Sequence, residues 1–117
     1  MNIEKLNADE KVLEGRREKL EKDKKAWEKK KAEHLQSLKY HSESIEKSLG
    51  KVEKGIDYTG NIEADLKKMK EIFSEIEEKE SDFKSEESDI EGDAEGIKWE
   101  RERQASRTLI GKVLKAL

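Results

Sequence analysis

Two histidines, His34 and His41, and the carboxylate run EIEEKESDFKSEESDIEGDAE over residues 75–95 are the side chains here that could hold a metal or move a proton. A zinc-type site takes ligands one helical turn apart or converging from several elements. These histidines are seven residues apart, two turns along one face, and no third ligand of suitable type accompanies them. They are expected to be solvated or to lie at the edge of a helix contact, with no metal. A carboxyl group becomes a general acid or base when an apolar pocket raises its pKa. The acidic run has no such pocket around it and is expected to be a solvated helix face. Ser42 follows His41 directly, so on a helix the two point in different directions and form no nucleophile–base pair. Phosphate-binding glycine loops and HExxH are also absent. The expectation is a chain without catalytic residues, cofactor or small-molecule substrate.

The elements that carry these residues are legible from composition. Of 117 residues, 47% are charged and only 32% hydrophobic, with no proline and no cysteine. A thick core is excluded, disulfides and thiolate metal sites are excluded, and nothing interrupts a helix until glycine does. Such composition would also suit a disordered chain if the apolar residues were scattered. They are patterned instead. Positions 62, 66, 69, 73, 76, 80, 83, 87, 90, 94, 97 and 101 alternate steps of four and three, and the row Ile62, Met69, Ile76, Phe83, Ile90, Ile97 is wholly apolar. That is the heptad pattern of a helix laying one narrow stripe on another helix. In the first half Leu6, Leu13, Leu20 and Trp27 recur every seven residues. A step through Lys31 to Leu35 then predicts a stutter, followed by Leu38, Ile45, Leu49, Val52 and Ile56.

Gly50, Gly55 and Gly60 bracket the segment between the halves, where a helical chain reverses. The reading is all-α: a long antiparallel two-helix coiled-coil hairpin forming a single domain over 1–117. Helix one covers about 3–54, the turn about 55–61, and helix two about 62–115, with Thr59 or Asn61 capping the second helix. At about 1.5 Å per residue each arm is on the order of 75 Å long. Gly92 and Gly96 predict a kink or break in helix two, or room for the Trp27 indole. Folding the chain so that paired numbers total about 118 sets Ile45 against Phe73, Leu35 against Phe83 and Lys31 against Glu87. Charge selects the same arrangement: residues 16–31 hold nine basic and four acidic groups, and 71–95 hold twelve acidic and two basic ones. A charge-paired dimer of longer rods would use the same complementarity between chains.

The formal net charge of -3 argues against a general nucleic-acid or membrane-surface binder. No apolar run reaches 18 residues, and the amino terminus lacks the hydrophobic stretch of a cleaved signal, so a cytoplasmic protein, or one exported without such a signal, is expected. The stretch RTLIGKVLKAL crowds Leu109, Ile110, Val113, Leu114 and Leu117 beside Arg107, Lys112 and Lys115. It either docks on Ile3 and Leu6 or forms a sticky end for a partner helix or an anionic membrane.

The plan of about a hundred residues, two helices and an aromatic-x-Gly turn at Tyr58-Thr59-Gly60 resembles the Trp-x-Gly small hairpin proteins of type VII secretion. The family's aromatic-x-x-x-acid element has counterparts at Phe73 with Glu77 and at Phe83 with Glu87. Here Tyr58 stands where the family has tryptophan, and both counterparts lie earlier than an extreme carboxyl-terminal signal would. The resemblance implies a helical partner or chaperone of LXG-type toxins, with Tyr58 and Gly60 shaping the turn and part of the recognition surface. From the residues themselves, a self-assembling coiled-coil spacer is the alternative. The predicted partner contacts are Tyr58, Gly60, Phe73, Phe83, Trp99, Leu109, Val113 and Leu117, because aromatic and terminal apolar groups dominate helical interfaces. The expected partner is a helical protein, the same or another chain.

Overall fold

The structure, a computed structural model, describes residues 3–117. It is all-α: helix α1 spans Ile3–Glu53 and helix α2 spans Thr59–Ala116, folded back by one turn into a helical hairpin, with no strand among the described residues. The described residues pack as two compact units. The turn unit comprises 23–83, and the end unit comprises 3–22 with 84–117. Each helix contributes to both.

The turn is shorter than expected and sits earlier. The Gly55 N–H donates to the Val52 carbonyl at 2.9 Å and the Ile56 N–H to the Lys51 carbonyl at 3.0 Å. Together they form the Schellman motif that satisfies the last carbonyls of a helix. That motif needs a left-handed residue at its centre, and Gly55 has φ +83. The second helix then begins at once. The Asp57 carboxylate accepts the Thr59 N–H at 3.2 Å, and the Tyr58 carbonyl accepts the Asn61 and Ile62 N–H groups at 3.1 and 3.2 Å. The cap is therefore supplied by Asp57 and Tyr58, not by Thr59 or Asn61, and α2 starts three residues before the expected 62 because these groups satisfy its first donors. At Gly92 and Gly96 the helix is continuous, so no break occurs there.

Register is the main correction. Lys31 reaches Glu80 at 2.5 Å, one heptad short of Glu87. His34 meets Glu75 and His41 meets Asp65 in the turn unit. In the end unit Arg101 meets Glu10 and Asn7. A slip of seven residues returns every seam position to a residue of the same row, so a heptad pattern alone does not choose between the two alignments. The slip also moves Gly92 and Gly96 away from Trp27: they line a groove with Leu6, Leu13 and Arg16. A methyl group added at either glycine would meet nothing within 4 Å, so neither makes room for an indole.

The core is a stripe, as two helices allow. In the end unit Leu6, Leu13 and Ile90 are buried; in the turn unit Trp27, Leu38, Ile72 and the small Ser48 are. On α1 the covered row runs 6, 13, 20, 27, 34, 41, 48 without interruption, so the stutter does not occur and Leu35 is left outside. On α2 the companions of the 62, 69 row are Asp65 and Ile72, whereas those of the 83, 90, 97 row include Glu87, Ala94 and Arg101. A straight helix drifts about 20° per heptad against a 3.5-residue repeat, so over several heptads the buried companion moves by one position. Leu66 and Phe73 lose their seam places to Asp65 and Ile72 for that reason.

Candidate protein-binding surfaces

In the turn unit both histidines occupy the seam itself, and each faces one carboxylate. The His41 Nδ1 lies 2.7 Å from Asp65 Oδ1, and hydrogen bonds from His41 and then Ser44 hold the Asp65 carboxyl below its ordinary pKa. The His34 Nε2 lies 3.2 Å from Glu75 Oε2 but out of line for a hydrogen bond, which leaves that buried nitrogen without a partner. The buried Trp27 indole N–H is likewise unpaired, with the His34 ring 5.9 Å away. Each histidine thus has one acidic neighbour, and among the described residues no three His or carboxylate groups converge as a metal site would require.

Beside this seam the turn unit carries a second apolar row. Leu35, Leu49, Leu66 and Phe73 leave 46–52% of their surface exposed. Helix geometry places them together. At about 100° per residue, each of Leu35, Ser42 and Leu49 is one step past the covered row 34, 41, 48, and each of Leu66 and Phe73 is one step past Asp65 and Ile72. In an antiparallel pair one step past the seam on either helix points to the same side of the pair. The opposite flank, one step before the seam, holds Glu33, Tyr40, Lys47, Ala64 and Glu71, so the exposed Tyr40 is the large ring on that side and the apolar row lies on this one. The apolar residues therefore form one face.

The end unit is held by arginines. Arg16 bridges Glu86, at 3.3 Å, and Asp93, and these contacts raise its pKa, the Asp93 hydrogen bond most of all. Arg101 donates to Glu10 at 2.6 Å and to Asn7 at 2.9 Å, and the Glu10 carboxyl is held below its ordinary pKa chiefly by that hydrogen bond from Arg101. The partners span the seam where leucine and isoleucine are sparse. Leu109 lines a groove with Ile3 and Leu6, but from Ala105 onward every residue is exposed. The apolar residues Leu109, Ile110, Val113, Leu114 and Leu117 are 52–96% exposed. The one-heptad slip is the cause: it carries this segment past the amino-terminal leucines on which it was expected to dock.

The predicted contact residues divide accordingly. Leu109, Val113 and Leu117 share the exposed carboxyl-terminal stretch of the end unit, and Trp99 in the same unit is 67% exposed on an outward face. Phe73 lies on the apolar flank of the turn unit. Gly60 is exposed in the first turn of α2, and Tyr58 is half-buried at its cap. Phe83 is a half-buried seam residue with the Lys79 ammonium 5.5 Å from its ring centroid, so it is occupied within the chain. The heptad pattern places Leu35, Leu49 and Leu66 in the seam, and the structure leaves them as exposed surface. The signal for this was present in the unbroken spacing of Trp27, His34, His41 and Ser48.

Among the described residues no helix is long and apolar enough to cross a membrane. No family model, curated protein or solved structure matches this chain.

Proposed function

We propose that this chain is a non-enzymatic helical binding module that completes a three- or four-helix bundle with another helical chain. The observation that carries this reading is the apolar surface the hairpin leaves uncovered: the Leu35, Leu49, Leu66 and Phe73 flank and the 109–117 stretch. A contiguous exposed apolar face is the mark of an interaction site, and added helices are the simplest cover for helical ridges. The Tyr58-Thr59-Gly60 motif, at the start of α2, supports one form of the partner, the helical amino-terminal region of an LXG-type toxin, with this chain as its chaperone or export partner in type VII secretion. The flank of the turn unit also supports self-assembly, as in a coiled-coil spacer.

The test is isolation of the tagged chain from its own cells beside the Leu109→Glu, Val113→Glu double variant, with bound proteins quantified. Retention of a helical protein that the variant loses supports the reading, and a toxin amino-terminal region among those proteins supports the type VII form. A chain that retains nothing above background, itself included, overturns it.

A further inference from the structure

The apolar flank of the turn unit is flanked by charges in an ordered sequence. Within the observed register Leu35 is level with Phe73, Lys39 with Lys70, Ser42 with Leu66, and Glu46 with Glu63. Along the flank away from the turn, the layers therefore read apolar at Leu49, acidic, apolar at Leu66, basic, and apolar at Leu35 and Phe73. The basic and acidic layers are seven residues apart, or about 10 Å at 1.5 Å per residue. The Ser42 and Leu66 layer lies midway between them.

We propose that a second copy of this chain covers this flank, antiparallel, about a two-fold axis through the Ser42 and Leu66 layer. This deepens the reading of the chain as a bundle-forming module and rests on it. The two-fold axis inverts the layer order, so Lys39 meets Glu46 of the second copy and Lys70 meets its Glu63. Leu35 packs on Leu49, and Leu66 packs on its own counterpart. Phe73 comes to lie over the first turn of α2 of the second copy, at Thr59, which continues the Leu66 and Phe73 row. The result is an antiparallel four-helix bundle with apolar layers inside and charged pairs along the rims, the positions that set orientation between helices. A parallel pairing, about an axis along the bundle, would set Lys39 against Lys70 and Glu46 against Glu63 of the second copy, which like-charge repulsion opposes. The 109–117 stretch belongs to the other unit and is not used by this contact.

Sedimentation equilibrium of the purified chain is expected to show a reversible dimer. The Lys39→Glu, Lys70→Glu variant, acidic in both layers, weakens self-association on the order of tenfold or more, which is about 1.4 kcal/mol. Its equimolar mixture with Glu46→Lys, Glu63→Lys forms a heterodimer, while circular dichroism shows each variant as helical as the parent. Because the chain has no cysteine, orientation is read directly. Leu35→Cys mixed with Leu49→Cys forms a mixed disulfide, and neither forms a disulfide dimer alone. A monomer at all concentrations, a dimer indifferent to the charge exchange, or Leu35→Cys linking to itself overturns the proposal. A monomer that still retains a different helical protein through 109–117 fails this inference alone and leaves the binding-module reading standing.

Discussion

The turn unit and the end unit each bury a few aliphatic groups, but they fill the rest of the seam with different chemistry. The turn unit places imidazoles in the stripe, at His34 and His41, and gives each one acidic neighbour. The end unit leaves the stripe to Leu6, Leu13 and Ile90 and crosses it with Arg16 and Arg101, each reaching two acceptors on the facing helix. Imidazole is a compact, partly apolar ring that sits inside a stripe, whereas guanidinium lies along its edge with the stem covering apolar surface. The difference also shows outside the seam. The turn unit has its spare apolar surface as a row beside the stripe, and the end unit has it as the 109–117 stretch beyond the stripe. On the proposed reading, the first would take a helix lying alongside and the second one that meets an end.

This contrast is broken most forcefully at the buried leucines. Leu6→Ala and Leu38→Ala are each expected to cost about 2–3 kcal/mol, at the lower end for core truncations because a two-helix contact collapses partly around the loss. Hydrogen exchange distinguishes the units: Leu6→Ala should lower protection in 3–22 and 84–117, and Leu38→Ala in 23–83. A uniform loss from either substitution would mean that the two units unfold as one. A smaller effect, of opposite sign in the two units, comes from glycine. Gly55→Ala forces a side chain into the left-handed region and should lower stability by about 1 kcal/mol. Gly96→Ala sits in regular helix with nothing near its Cβ and should raise stability by about 0.5–1 kcal/mol, read from thermal melts.

The smallest effect is in acid. Asp65 in the turn unit and Glu10 in the end unit both have pKa values below their ordinary ones, by hydrogen bonds from His41 and Arg101 respectively. A depressed carboxyl contributes stability that is present above its unfolded pKa, about 4, and is lost as pH falls through the lower folded value. The melting temperature should therefore decline below pH 4. Asp65→Asn should flatten the part of that decline belonging to 23–83, and Glu10→Gln the part belonging to the end unit. A decline unchanged by both substitutions would place the acid sensitivity elsewhere.

Helices, their opposed direction and the complementary blocks of charge were legible in the sequence because each rests on many residues at once. The row from Ile62 to Ile97 predicts its own burial, and the glycine cluster predicts the reversal. Register was not legible, since Glu80 and Glu87 occupy the same heptad row and offer Lys31 the same carboxylate. The turn hid its cap for a local reason: Asp57 acts two residues ahead of the amide it satisfies, so a search for Ser, Thr or Asn at the helix start passes over it. The surface was misread at Leu35, Leu66 and Phe73, where counting apolar residues favoured leucine and phenylalanine over histidine and aspartate. A histidine facing an acid is an adequate seam residue, and admitting it frees three large apolar groups for the outside.

Each unit also contains a single tryptophan, and the two differ sharply in environment: Trp27 is 7% exposed and Trp99 67% exposed. The chain thus carries its own pair of optical reporters. Emission from Trp27, sheltered from water, should lie to the blue and resist a soluble quencher, and that from Trp99 should lie to the red and be readily quenched. Replacing either with phenylalanine leaves a protein whose fluorescence follows one unit alone. A partner seated on the outward face around Trp99 would register as a blue shift there while Trp27 stays constant, so that occupancy can be followed in real time without any attached dye.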